Sequence, residues 1–469
     1  MLSKKMADEV GFSFVAEKLE CFSYYGAVKI REMNAAFVDS QKLSDYCGSI
    51  NHAEIFYNIS KLSELHEYQV ESIQDLLSNF KNISGIIKKL EFVYLSEVEL
   101  FEIKRFLRGL EKFIDLWNKV NFQLDGLHFI EMTVALNMLD PKNQRIAVFL
   151  IPDDYSPGLK AARQKKALIE ALIDKHGMTD ELIKKRATIA ADEEKHEQAA
   201  LEHLTNKLKP FVPSFKLNME NIGLLDFTLA KAVLASHAAA ACPTISSHGL
   251  RLKNMWNPKT QEELKKKGRT FINISIELEP GSTVLIGANM GGKSLTIKTV
   301  LLNVLLANMG FFVFADLGDV PLFDDVFFID EGAGNDFLSS FGAEVMQINE
   351  AVKNLAEKKL FIALDEPART TNPAEGSKIV RGIVSYLAKQ QSTSLISTHY
   401  GNVQENAGAV YQTASFSYDG LGSADADNLA KFIKYELRKV DANTTIPTEA
   451  INLCKILGMN PSLLAEIDI

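Results

Sequence analysis

From Leu95 onward the apolar positions Val98, Phe101, Phe106, Leu107, Leu110, Phe113, Ile114 and Trp117 recur at steps of three and four, the spacing of one helix face. Glu97, Glu99, Glu102, Lys104, Arg105, Arg108, Glu111 and Lys112 fill the other faces with mixed charge, which predicts a long amphipathic helix. A second helical pattern, dense in charge, runs from about 159 to 208 and breaks at Gly177. Between the two, AVFLIPDDYSP (147–157) reads as a short extended piece, and Tyr155-Ser156-Pro157-Gly158 supplies the turn that ends it. Pro210 and Pro213 interrupt the second pattern, and a connecting helix is expected before Cys242-Pro243. Beyond that point the period changes. Short β-branched and aromatic runs at 283–287, 311–314, 326–329, 360–364 and 395–397 alternate with helical stretches, the signature of an α/β domain with a mainly parallel sheet. The expected fold class is therefore multidomain α and α/β. A helical domain covers 1–215 and includes a charged hairpin at about 159–208. A connecting helix follows at 216–240, then an α/β domain at 241–440 and a helical tail at 441–469.

Composition adds boundaries to this picture. The chain has 469 residues, 46% hydrophobic and 24% charged, ordinary for a globular protein of two or three domains. Lys and Arg number 51 against 60 Asp and Glu, a net charge of −9, so a surface dominated by basic residues is not expected. Lys165-Lys166, Lys184-Lys185-Arg186 and Lys265-Lys266-Lys267 are short basic clusters set among acids and read first as solvated helix faces. Cys21, Cys47, Cys242 and Cys454 are scattered and form no CxxC pair, which fits a reducing, cytoplasmic setting. The most apolar window, Val300 to Ala315, is broken by Asn303 and Asn308, and no membrane span is expected.

Three short spans carry chemistry. Gly287-Ala288-Asn289-Met290-Gly291-Gly292-Lys293-Ser294 fits GxxxxGK[ST], with an apolar strand before it and a helical period after it. Glycines let successive backbone N–H groups turn toward phosphate oxygens, and the following helix adds the positive end of its dipole. Lys293 would reach the β- and γ-phosphates of ATP, and the Ser294 hydroxyl would meet Mg²⁺. Next, the apolar strand 360–364 delivers Asp365 and Glu366 at its carboxyl end, where ligands of α/β sheets sit. There Asp365 would serve the metal and Glu366 would act as general base on water. The third span is the buried run Leu395-Ile396-Ser397, which ends in Thr398-His399-Tyr400. His399 could hydrogen-bond the γ-phosphate.

Taken together, these spans resemble the MutS family of ABC-type ATPases. The loop GANMGGKS differs by one residue from that family's usual GPNMGGKS. Residues 307–315 resemble its "AQ-x-G-x-x-VPA" segment and 323–327 its "D-x-I-F" segment. Residues 365–372 resemble "DE-x-GRGT", 397–400 "ATHY", and 450–464 a short helical tail that aids dimerisation. More faintly, residues 94–113 resemble a lever helix, and 151–163 the point where the chain re-enters the core. The resemblance implies a helical core/lever domain followed by a P-loop ABC-type ATPase domain. It implies that Gly287, Ala288, Asn289, Met290, Gly291, Gly292, Lys293 and Ser294 bind nucleotide. Ser294 and Asp365 would then hold Mg²⁺, Glu366 the attacking water, and His399 the γ-phosphate. Such ATPases work as homodimers or heterodimers, and Asp336–Phe341 resembles the family's trans-acting loop, with Ser339 or Ser340 reaching the neighbour's site. An ordinary helix N-cap explains those serines equally well.

The departures bear on the client. The expectation is a short member without the mismatch-recognition domain, with a clamp reduced to the hairpin 159–208. Met255-Trp256-Asn257-Pro258 stands where the family has Arg-His-Pro. DNA gripped without mismatch reading is the favoured client. The alternative is a protein client, a cobalamin-dependent amino acid mutase reactivated by ATP turnover. A non-hydrolysing scaffold is disfavoured by Glu366.

Overall fold

The segment Val300–Leu306 is apolar at every position but Asn303, so the helix that carries it has to be buried nearly all round. The computed structural model shows how this is met. It describes residues 4–120, 123–144, 151, 153–155, 157–287, 291–330, 340–416, 433–441, 444, 451, 454 and 458–467. Strands are β1 (Thr244–Ile245), β2 (Leu250–Met255), β3 (Ile274–Leu278), β4 (Gly281–Ile286), β5 (Leu317–Val320), β6 (Asp325–Ile329), β7 (Leu360–Leu364), β8 (Thr393–Ser397), β9 (Ala409–Phe416) and β10 (Ile433–Val440). Helices in the first half are α1 (Lys4–Val10), α2 (Phe12–Ala16), α3 (Tyr24–Ala35), α4 (Ser40–Gly48), α5 (His52–Ser63), α6 (Glu67–Leu77), α7 (Ser84–Leu90), α8 (Glu97–Val120), α9 (Thr133–Leu139), α10 (Pro157–His176), α11 (Asp180–Leu208) and α12 (Val212–Ala238). In the second half they are α13 (Pro258–Lys266), α14 (Lys293–Asn308), α15 (Ser340–Asn354), α16 (Pro373–Leu387) and α17 (Pro461–Ile467). The multidomain α and α/β class read from the sequence is the class observed.

The chain divides into two units, with boundaries inside α3 and α12. One unit holds Met1–Leu19, Arg31–Ser63 and Lys231–Ile469; the other holds Glu20–Ile30 and Glu64–Ala230. In the second unit, whose described elements are helices, α8 buries Phe106, Leu107, Leu110, Phe113 and Ile114 as its period predicts, and it also buries Leu100, Ile103 and Lys104, while Val98, expected on the same face, is exposed. Phe106 lies 5.3 Å from Phe80 and 6.0 Å from Phe215, ring centre to ring centre. Gly177, at φ +77°, ends α10, and the Thr179 side chain caps α11. Asp226 of α12, 1% exposed, accepts from the Ser23 N–H and Ser23 hydroxyl at 2.6 Å each and from the Phe22 N–H at 3.1 Å. It thereby caps α3. Its Oδ2 would lie 2.2 Å from a Cβ at Gly26, so only glycine fits there. Most of the extended piece expected at 147–157 lies outside the described residues.

The first unit is built on a six-stranded sheet of order β10-β9-β4-β8-β7-β6. The five strands from β9 to β6 are mutually parallel, and β10 runs antiparallel to β9. Leu285 of β4 pairs with Ser397 of β8, and Leu364 of β7 with Ile396, so the carboxyl ends of these three strands are level. A smaller sheet, β1-β5-β2-β3, accompanies it. The buried helix is α14, with Val300, Leu301, Leu302, Val304, Leu305 and Leu306 all enclosed. Buried Val10, Phe12 and Val15 belong to this unit, and Phe12 meets Phe311 edge-on at 6.0 Å.

The two asparagines that interrupt the apolar run make specific bonds. Asn303 Oδ1 accepts the Phe314 N–H at 2.7 Å, and Asn308 Oδ1 accepts the Phe323 N–H at 2.9 Å. This corrects one expectation. Residues 311–314 are not a strand; only Val313 forms a bridge, to Ala241, because the Phe314 N–H is spent on Asn303. At the far end of α14, the buried Lys231 Nζ donates to the carbonyls of Met309 and Gly310, each at 3.1 Å, and lies 4.1 Å from the Phe311 ring centre. His52 Nε2 is 2.9 Å from the Asn308 carbonyl.

Candidate nucleotide site

The glycine loop leaves β4 at Gly287 and enters α14 at Gly292. Both glycines need backbone that side chains disfavour: Gly287 has φ +148° and Gly292 φ +88°. A Cβ at Gly287 would lie 2.3 Å from Thr413 Oγ1 on β9. Ala288, Asn289 and Met290 lie outside the described residues, as does Ser339. Of Ser340 the structure gives only its place as the first residue of α15.

Lys293 is 4% exposed. Its Nζ donates to the Gly287 carbonyl at 2.9 Å and stands 3.2 Å from Glu366 Oε1. Glu366 Oε2 is 3.6 Å from Arg369 Nη1 and 3.6 Å from His399 Nδ1. One carboxylate, just beyond the end of β7, thus faces three cationic or ionisable groups. The structure brings Lys293, Glu366 and His399 together.

The scaffold beneath is a short relay of hydrogen bonds. The Glu366 N–H donates to Ser397 Oγ at 2.8 Å, and that hydroxyl donates to Asp365 Oδ1 at 2.7 Å. Ser397, the last residue of β8, therefore fixes both acids at once. The Tyr400 hydroxyl donates to the Ala368 carbonyl at 2.8 Å, and the Ala368 N–H donates to Glu344 Oε1 at 2.8 Å. These bonds hold a turn in which Glu366 (φ +51°) and Ala368 (φ +59°) both adopt left-handed backbone, a conformation that costs a residue with a Cβ about 1–2 kcal/mol. Ala368 occupies the place of the first glycine in "DE-x-GRGT", where that cost would vanish. Gly376 completes the support, since a Cβ there would lie 2.4 Å from the Tyr400 hydroxyl. Gly376→Ala is expected to displace that hydroxyl, destabilise this unit by about 1–3 kcal/mol and lower turnover; thermal unfolding and a phosphate-release assay read the two effects.

Beside the loop lies a cavity of about 670 Å³, lined by Gly291, Gly292, Leu295 and Thr296, by Thr413, Tyr435 and Glu436, and by Thr260, Leu264 and most of 267–274. Its size suits a small organic ligand. Among the described residues, no group of three or more His, Cys, Asp or Glu could by itself hold a metal ion. Ser294 and Asp365 present one hydroxyl and one carboxylate, hard oxygen donors of the kind magnesium takes when phosphate and water complete its shell. Those two side chains fit that role.

Sequence reasoning missed Ser397 as a positioning hydroxyl, together with Thr413, Glu344 and the cavity wall. Ser397 stood inside a motif already singled out, and its polarity at the end of an apolar strand was the available signal.

Strand, glycine loop and buried helix, with acids and a histidine at the level ends of neighbouring parallel strands, define a phosphate-loop α/β fold. Residues 283–456 match the family model described as MutS domain V. Among similar curated proteins, Endonuclease MutS2 of Leuconostoc mesenteroides is 31% identical over 224 residues, 47% of this chain and 27% of that protein. Endonuclease MutS2 of Caldicellulosiruptor bescii is 26% identical over 353 residues, 71% of this chain and 43% of that protein. Endonuclease MutS2 of Streptococcus thermophilus is 25% identical over 479 residues, 91% of this chain and 58% of that protein. The chain thus spans between 27% and 58% of the length of these relatives.

Proposed function

We propose that this chain binds and hydrolyses ATP and couples the cycle to a DNA transaction. The observation that carries the ATPase reading is the arrangement of Glu366 3.2 Å from Lys293 and 3.6 Å from His399 at the exit of β7, beside a glycine loop that opens a buried helix. In this reading the loop amides and Lys293 hold the triphosphate, and the 670 Å³ cavity seats the nucleoside. Ser294 and Asp365 hold Mg²⁺, which when bound supplies charge neutralisation on the phosphates. Glu366 takes the proton of the attacking water. His399, on the same carboxylate, reports whether a γ-phosphate is present. Ser339 or Ser340 would complete the site of a neighbouring subunit, so that two chains enclose each nucleotide and ATP favours the closed pair. DNA enters through the relatives, which are named as endonucleases, and through the family of the matched domain.

No described helix is long and apolar enough to cross a membrane.

The test is ATP turnover with and without duplex or branched DNA across a salt series. The expected result is stimulation by DNA, with binding that weakens log-linearly as salt rises, the mark of released phosphate counterions. Turnover without stimulation or low-salt binding would remove DNA from the reading and leave an ATPase acting on a protein. No ATP binding at millimolar magnesium would overturn the whole.

A further inference from the structure

The wall of the cavity beside the glycine loop is tied to the first residues of the chain. Thr260 and Leu264 of α13 line the cavity, followed by Phe271. The same helix is stitched to residues 8–18 at three points. Asn257, 2% exposed, donates from Nδ2 to the Val10 carbonyl at 2.8 Å, while its Oδ1 accepts the Thr260 N–H at 3.3 Å and caps α13. Lys259 Nζ donates to the Asp8 carbonyl at 2.9 Å, and Glu262 pairs with Lys18 at 3.2 Å. Gly11, at φ +97°, lets the backbone pass close by, since a Cβ there would lie 3.1 Å from Asn257 Oδ1. A buried carboxamide whose donor and acceptor ends serve two different segments is a rigid splice, because releasing either end strands a buried polar group.

We propose that Asn257 is a positioning residue for nucleotide: through it, residues 8–18 hold α13 at the distance that lets the cavity grip the nucleoside. This rests on the reading of that cavity as the nucleoside's seat. Asn257 stands where the resemblance had Arg-His-Pro, so the departure noted in the sequence acquires a role of its own.

The experiment uses the full chain and measures ATP affinity by titration, with KM and kcat, for wild type, Asn257→Ala and Asn257→Asp. The aspartate keeps the acceptor that caps α13 and loses the donor to Val10. Both variants are expected to raise Kd and KM about tenfold, the size of one lost buried hydrogen bond, with kcat within about twofold of wild type. A merely structural role would lower the unfolding midpoint and leave KM in place. If the buried variants do not fold, the double variant Lys18→Gln, Lys259→Gln alters only the outer stitches; a KM about two- to threefold higher at an unchanged midpoint supports the proposal. Unchanged KM in a folded Asn257→Asp, or in the double variant where it must stand in, overturns it. A wild-type chain that binds no ATP overturns the proposed function instead, and the two failures are told apart by the wild-type titration.

Discussion

Glu366→Gln is expected to lower steady-state ATP hydrolysis by about 10²–10⁴-fold, the usual contribution of a positioned general base, while ATP stays bound. The amide keeps the size of the carboxylate and its place at the end of β7, so the Ser397 bond to its N–H survives. It cannot take a proton. The change also acts on binding. In this structure the Lys293 ammonium is occupied by Glu366 Oε1 at 3.2 Å, and a phosphate has to compete with that carboxylate for it. Removing the negative charge removes the competitor, so ATP should bind several-fold more tightly even as turnover collapses. Single-turnover hydrolysis and equilibrium titration separate the two effects, and size-exclusion with ATP should show paired chains accumulating. Hydrolysis at the wild-type rate would strip Glu366 of its assigned part.

In the helical unit the largest effect is expected at Asp226. Asp226→Ala leaves the N–H groups of Phe22 and Ser23 and the Ser23 hydroxyl without their acceptor, the two donors of Ser23 at a site with almost no access to water. Loss of about 3 kcal/mol is expected from stranded buried donors, read as a lower midpoint in chemical unfolding. The group also has a pH signature. Burial pushes its carboxyl above the usual aspartate value, and the bonds from Ser23 and Phe22 pull only partly the other way. An acid whose native pKa is raised binds its proton more readily folded than unfolded. Stability therefore falls as pH climbs from about 4, the unfolded value, through the raised native one. Asp226→Asn should flatten that slope; an unaltered slope would mean another group produces it.

What could be read from sequence, and what could not, divides by distance along the chain. The glycine loop, the acids after 360–364 and the histidine after 395–397 were legible because each needs particular residue types in one short span: glycines for backbone that others resist, and acids at the exit of an apolar strand. The middle of the buried face of α8, from Phe106 to Ile114, was legible because periodicity is local. Ser397 bridging Asp365 and Glu366 was not, since it depends on β7 and β8 lying side by side with Leu364 opposite Ile396. Nor was Thr413 closing over Gly287, 126 positions earlier. Residues 311–314 have every local trait of a strand, and a side chain on the preceding helix takes the N–H of Phe314. The substitution of alanine for glycine at 368 was visible, but its left-handed backbone was not.

The grip of His52 on the last carbonyl of α14, and of Lys231 on the two carbonyls just beyond it, has a mechanical consequence. A helix of 16 residues is a rod of about 24 Å. With its tail held by the buried Lys231 and by His52, it is anchored at one end. The clamp then acts as a pivot, and a swing of a few degrees about it becomes an ångström-scale excursion at the opposite tip, where Gly292 and Lys293 sit.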